Sequence, residues 1–149
     1  MDRILLAIDG SEYSMRAAAL SGELSERLGA IVDIINVVSD ATMIRPTGVF
    51  GEYAQLENVV ITQRDLLKSA GTEVVAQAAK VVGDSGGKVD EVNVVIGSPA
   101  HAIVKSAQSV NADCIVMGRR GLSDFKGLMM GSVSHRVGHL TDTTLITVA

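Results

Sequence analysis

The sequence predicts an α/β fold: an open, doubly wound sheet of five parallel strands with helices on both faces. Three observations carry this expectation. Short continuous apolar runs at 4–8, 31–38 and 114–117 read as strands buried on both sides. Between such runs, apolar residues recur at helical spacing. The two kinds of segment alternate to the end of the chain, and β-α-β succession calls for parallel strands joined by right-handed crossovers.

Ile4-Leu5-Leu6-Ala7-Ile8 is the first strand, and Asp9-Gly10-Ser11 is a turn in which Asp9 or Ser11 caps the first helix. Ala17, Leu20, Leu24 and Leu28 form the stripe of that helix, and Gly29 stops it. The β-branched run Ile31 to Val38 is the second strand. Residues 39–58, with Pro46, Gly48 and Gly51, hold no period and read as a long loop. A helix is expected from about Val59 to Val82, with Leu67, Ala70, Val74, Ala78 and Val81 on its buried stripe. Gly71 inside it costs about 1 kcal/mol relative to alanine.

Val89 to Ile96 alternates, with Val92, Val94 and Ile96 on one face and Glu91 and Asn93 on the other, as suits an edge strand. Ser98 caps and Pro99 opens the next helix, whose buried face is Ile103, Ala107 and Val110. Cys114 to Met117 is the fourth strand. A glycine-rich segment, 118–131, comes after it. Val133, Val137 and Leu140 then mark a short helix, and Leu145 to Val148 the last strand. With no repeat, low-complexity tract or linker, residues 1–149 read as one α/β domain.

Composition narrows the function classes. The chain is 47% hydrophobic and 20% charged, the balance of a folded domain. A net charge of −4 argues against a nucleic-acid surface. Two Phe, two Tyr and no Trp leave little for base stacking. The single cysteine, Cys114, fits a reducing compartment. No stretch is apolar for long enough to span a membrane, and no signal-peptide layout opens the chain. The expected address is the cytoplasm.

The segment richest in chemistry is Gly118-Arg119-Arg120-Gly121 together with Gly131-Ser132, set directly between a strand and a helix. Glycines let backbone N–H groups approach a ligand. A helix N-terminus adds free N–H groups and the positive end of a dipole, so the segment suits phosphate. Ser132 adds a hydroxyl donor. Three or four charge-assisted hydrogen bonds of about 1.5–3 kcal/mol each would anchor a triphosphate. The bland alternative is a surface loop with a glycine cap. The Walker ending Gly-Lys-Ser/Thr is absent, and so is G-x-G-x-x-G.

The pattern Gly118-x2-Gly121-x9-Gly131-Ser132 resembles the ATP-binding signature of the universal stress protein family. Ile4 to Ser11 resembles that family's opening strand and acidic turn, Gly97-Ser98-Pro99 the segment after its third strand, and Ser132-Val133-Ser134 its helix start. The resemblance spans nearly the whole chain. It implies a sheet of order 3-2-1-4-5 and a homodimer paired through the C-terminal strand. It also implies an adenine nucleotide, ATP, with Mg²⁺ or Mn²⁺ arriving on the phosphates. Asp9 would meet the ribose or adenine side, backbone near Val37 or Val38 the adenine, and Gly118, Gly121, Gly131, Ser132 and Val133 the ribose and phosphates. Ser134 belongs to the same helix start. The chain departs from the family pattern in lacking a proline before the last strand. Its loop is also unusually basic, with Arg119, Arg120 and Lys126 either screening phosphates or simply solvated.

Other motifs resolve to ordinary roles. Gly83-Asp84-Ser85-Gly86-Gly87 spells a serine-protease motif, but at a helix end these are turn residues. His135 and His139 share a helix face without the intervening glutamate of H-E-x-x-H, and two ligands do not close a zinc site. With His101 they are expected at solvent or an interface. Cys114 reads as packing, and Met129 and Met130 as exposed or gap-filling. A phosphoacceptor reading fails because Asp9 has no neighbouring acid.

The combined expectation is an ATP-binding stress or signalling protein. Its output would be a nucleotide-dependent change in loop conformation or in binding of a protein partner, with no catalytic residue and at most slow hydrolysis. Two alternatives stay open. One is an ATP-hydrolysing or nucleotidyl-transfer enzyme. The other is a nucleotide-free dimeric interaction module, acting through residues 39–58.

Overall fold

The computed structural model describes residues 1–40, 55–122 and 130–149, and for residues 55–62 the course of the helix without its side chains. The elements are β1 (Arg3–Ile8), α1 (Glu12–Leu28), β2 (Ile31–Ser39), α2 (Gln55–Asp84), β3 (Lys88–Gly97), α3 (Pro99–Ser109), β4 (Cys114–Gly118), α4 (Ser132–Leu140) and β5 (Thr144–Val148). The sheet has the order β3-β2-β1-β4-β5 with every pairing parallel. This is the expected doubly wound α/β architecture. The expected loop is shorter at its C-terminal end, since α2 already begins at Gln55; residues 41–54 lie outside the described part.

The central strands divide their side chains between two cores. Ile4, Leu6, Ile8, Val32, Ile34, Cys114 and Val116 face α1 and α2. Leu5, Ala7, Ile35, Ile115 and Met117 face α3 and α4, where they meet Ile103, Val104 and Val137. Alternation along a strand sends successive side chains to opposite faces. An uninterrupted apolar run is therefore what a doubly covered strand requires.

The helices turn different faces inward from those their large apolar residues suggest. The buried residues of α1 are Ser14, Ala17, Ala18, Ser21, Gly22 and Ser25, whereas Leu28 is 53% exposed and Leu20 and Leu24 are only partly buried. In α2 the buried line runs through Gly71, Val75, Ala78 and Val82, with Ala70 exposed and Leu67, Val74 and Val81 on its flanks. The cause is close approach. A Cβ on Gly22 would stand 2.6 Å from the Val82 carbonyl oxygen and 2.5 Å from Ser85 Cβ, and one on Gly71 2.6 Å from Val94 Cγ1. The serines on this face satisfy themselves: Ser21 donates to Ala17 O (2.8 Å) and Ser25 to Ala30 O (2.6 Å). Small residues, not leucines, mark where α1, α2 and the sheet meet. On α3, Ala100, Ile103, Val104 and Ala107 are buried and Val110 is the half-buried C-cap.

β3 is an edge strand, as its alternation predicts, but its inward face is interrupted. Between the pairs Val32–Val89 and Ile34–Val92, two residues of β3 oppose Asp33 alone, a β-bulge. Of the expected face, Val94 packs into the core while Val92 is 48% exposed. Asp33, only 1% exposed, fills the bulge. It accepts the Glu91 amide (3.2 Å) and the Arg3 guanidinium (2.7 Å). Arg3 also reaches Asp90 (3.1 Å). The hydrogen bond to Asp33 holds the Arg3 guanidinium above its ordinary pKa. Nearby, the Asp113 carboxyl accepts the Asp2 and Arg3 amides at 2.6 and 3.1 Å, which holds it below its ordinary value.

One substitution made at two glycines tests this packing. Gly22→Ala should destabilise the protein by about 1–3 kcal/mol, because its methyl overpacks the α1–α2 contact. A Cβ at Gly83, in the last turn of α2, would meet nothing within 4 Å. There the same change should stabilise by about 0.5–1 kcal/mol. Urea unfolding midpoints measure both, and a gain at Gly22 would show that the helices do not approach so closely.

Candidate functional site

Between β1 and β4 the winding reverses, with α1 on one face of the sheet and α4 on the other. Open α/β sheets leave a crevice at the carboxyl ends of such strands. Here it is a cavity of about 310 Å³, within the range of small-molecule sites. Ala7 and Ile8 from β1, Asp9 just after it, Ile35, Val37 and Ser39 from β2, Pro99 and Ile103 from α3, and Met117 and Gly118 from β4 contribute to its wall. Arg120, Gly121 and Leu122 close one side, and Ser132, Val133 and Ser134 of α4 another.

Several polar groups in and beside this wall have a traceable anchor. Ser11, with extended backbone, is the N-cap of α1 and accepts the Ser14 amide (3.2 Å). Asp9 accepts the Ser11 amide on Oδ1 (2.9 Å) and the Leu122 amide on Oδ2 (3.0 Å), joining the first turn to the glycine-rich segment. An ionised carboxylate has about four acceptor positions, so Asp9 keeps capacity for a ligand hydroxyl. The glycine-rich segment is pinched at its base. The Arg119 amide donates to Val148 O (2.7 Å), and the Gly131 amide returns to Arg119 O (2.8 Å). The Ser134 hydroxyl donates to that same Arg119 carbonyl (2.8 Å). Gly131, with φ −74°, caps α4, whose first N–H groups have no partner within the helix.

The cavity wall therefore brings together Asp9, Val37, Gly118, Gly121, Ser132, Val133 and Ser134 of the residues expected from the sequence. Val38 is not in the wall, because its side chain leaves β2 on the opposite face from Val37. Gly131 is not in the wall either and acts on it through the pinch and the α4 cap. Gly118 has a packing reason of its own: a Cβ there would lie 2.9 Å from the Ser14 nitrogen and from Tyr13 backbone. Ser134 is 2% exposed and holds the pinch.

Sequence reasoning missed Asn36. It is 6% exposed and donates through Nδ2 to Ile8 O (2.9 Å), fixing β1 one residue before Asp9. The available signal was a lone amide inside Ile34-Ile35-Asn36-Val37. Ser14, Met117 and Ile103 also went unnoticed as wall residues, because strand and helix patterns do not show which residues share a crevice.

The remaining motifs fall outside the cavity. His135 and His139 are exposed and face one another, Nε2 to Nε2 at 3.2 Å. His101 is exposed and within hydrogen-bond reach of Ser98 Oγ (3.2 Å). Among the described residues, no group of three or more His, Cys, Asp or Glu is arranged to hold a metal ion. The protease-like motif is a helix-ending turn, with Gly86 at φ 83° and the Gly87 amide on Val82 O (2.9 Å). Cys114 is buried in β4, and burial pushes its thiol pKa up, away from the nucleophilic thiolate. Lys126 and Met129 lie outside the described residues. No described helix is long and apolar enough to cross a membrane.

Known proteins share this architecture. Universal stress protein YxiE of Bacillus subtilis is 29% identical over 147 residues, covering 99% of this chain and 98% of that protein. Universal stress protein UspA from Lactobacillus plantarum superposes with a TM-score of 0.82 at 21% identity, over 99% of this chain and 97% of that one. A universal stress protein from Archaeoglobus fulgidus, solved in complex with dAMP, superposes with a TM-score of 0.64 at 19% identity, over 100% of this chain and 98% of that one. At such identities the structural likeness is one of fold. The sequence profile of the universal stress protein family matches residues 1–149, and the chain belongs to that family.

Proposed function

We propose that this chain binds ATP in the cavity between β1 and β4 and acts as a nucleotide-dependent regulator of the stress response, with at most slow hydrolysis. The observation that carries the reading is the pinched glycine-rich segment, whose ends Arg119 and Gly131 meet at 2.8 Å beside the N-terminus of α4. A helix N-terminus beside glycine backbone forms an anion site. The dAMP complex of a family member supports an adenine nucleotide as the ligand class.

In this reading the Asp9 carboxylate accepts ribose hydroxyls. A carboxylate beside a phosphate would repel it, whereas a hydroxyl donates. Val37 side chain and the backbone of Val37 or Val38 meet adenine. Gly118, Gly121, Ser132 and Val133 surround the ribose and phosphates, Gly131 sets the base of the segment beside them, and Ser134 keeps the segment closed. Mg²⁺ or Mn²⁺ comes with the phosphates, whose oxygens are the hard donors such ions take, and neutralises part of their charge. Among the described wall residues the ionisable groups are Asp9 and Arg120. Asp9 is held by two amides, a poor arrangement for a general base. The same reading includes a homodimer through β5, an edge strand of the sheet.

Calorimetric titration of nucleotide-stripped protein with ATP in Mg²⁺ should show saturable binding, and no binding would leave the interaction-module alternative. Because Gly131 has φ −74°, valine fits its backbone. Gly131→Val should weaken ATP more than about tenfold, because the branched side chain crowds the phosphates where the segment meets α4. Gly118→Ala should instead lower the stability of the ligand-free protein by about 1–3 kcal/mol through the Tyr13–Ser14 contact. Phosphate release should stay on the order of one turnover per hour, the rate of a nucleotide site without a completed catalytic set. Sustained faster turnover would establish the hydrolase alternative.

A further inference from the structure

We propose that Arg120 is the group by which this site distinguishes phosphate chain length, contacting the β- or γ-phosphate and so favouring nucleoside di- and triphosphates over monophosphates. The inference rests on the reading that the cavity holds an adenine nucleotide.

Arg120 lies in the cavity wall, and its buried Nε has no hydrogen-bond partner among the described residues. A desolvated donor with no acceptor is unfavourable, and native interiors rarely leave one. A phosphate oxygen would supply the acceptor. The guanidinium stands 5.9 Å from the centroid of the Tyr13 ring, within the range in which an aromatic face holds a cation. This support restrains the side chain without neutralising it.

The other cations near the site are already committed or face elsewhere. Arg16, 5.8 Å from the same ring, is paired with Glu12 and donates to Ala149 O (3.1 Å). Arg119 also has a buried, unpartnered Nε, but it is not in the cavity wall. Among the described residues no carboxylate pairs with Arg120. Its acidic neighbour in the wall, Asp9, is oriented by the Ser11 and Leu122 amides rather than by Arg120. Arg120 is thus a cavity-wall residue whose positive charge no described carboxylate offsets. A first phosphate is met by the glycine backbone and the α4 N-terminus. A further phosphate needs another donor, and a guanidinium matches phosphate with two parallel hydrogen bonds.

The test is titration of wild type, Arg120→Gln, Arg120→Lys, Arg119→Gln and Arg27→Gln with ATP, ADP and AMP in Mg²⁺ at fixed salt. Arg120→Gln should weaken ATP and ADP by about tenfold and leave AMP within about twofold, the effect of one charge-assisted contact. Arg120→Lys, which keeps the charge without the planar fork, should fall between. Arg119→Gln should change the ATP-to-AMP ratio less than Arg120→Gln does. Arg27, exposed in the last turn of α1, should give wild-type ratios. Equal weakening of all three nucleotides by Arg120→Gln, or none, overturns the proposal. Equal wild-type affinity for ATP, ADP and AMP also overturns it while leaving the nucleotide site standing. Absence of binding by wild type overturns both.

Discussion

Close backbone approach at a few side-chain-free positions sets the geometry of this protein. Gly22 lets α1 rest on α2, and Gly71 lets α2 rest on β2 and β3. Gly118 brings the end of β4 against the first turn of α1, with no room for a Cβ beside Tyr13 and Ser14. That last contact locates the cavity. The α1 N-terminus cannot retreat from β4, so Asp9 and the segment after Gly118 are held near enough for the Asp9–Leu122 hydrogen bond at 3.0 Å. Packing of this kind is directional in effect, because interiors at crystal-like density do not deform smoothly.

Within the site, polar groups divide into those that build the frame and those left for a ligand. Asn36, Ser11 and Ser134 spend their hydrogen bonds on backbone: the Ile8 carbonyl, the Ser14 amide and the Arg119 carbonyl. Asp9 does both, since two amides use only part of its accepting capacity. Arg120 is at the other extreme: it rests on an aromatic ring, and among the described residues its buried Nε has no partner. A preformed frame of this sort lowers the ordering cost of binding.

The opposite end of the sheet is built by charge. Asp33 is buried in the β3 bulge and is matched by Arg3 and the Glu91 amide. A buried carboxylate is tolerable only with such partners. The bulge sends Val92 outward while Val94 stays in the core. The edge strand thus keeps its inner half for packing and shows charge and a bulge at its outer half, features that discourage edge-to-edge association.

What the sequence by itself determined was the alternation of strands and helices, because doubly buried strands demand continuous apolar runs and covering helices demand 3.6-residue periodicity. It also marked the strand–glycine–helix segment at 118–132, since glycines between those elements are a local signal. The strand order was legible only through family resemblance. Tertiary structure alone decided the helix faces, where Ser21, Gly22 and Gly71 outrank Leu24, Leu28 and Ala70. Hydrophobic periodicity weights large side chains, but the distance between two elements is limited by the smallest ones between them. Tertiary structure also turned Val37, but not Val38, to the cavity, and distinguished Arg120 from Arg119. Neighbours in sequence carry the same chemistry, and only the folded backbone determines which of them lines the cavity.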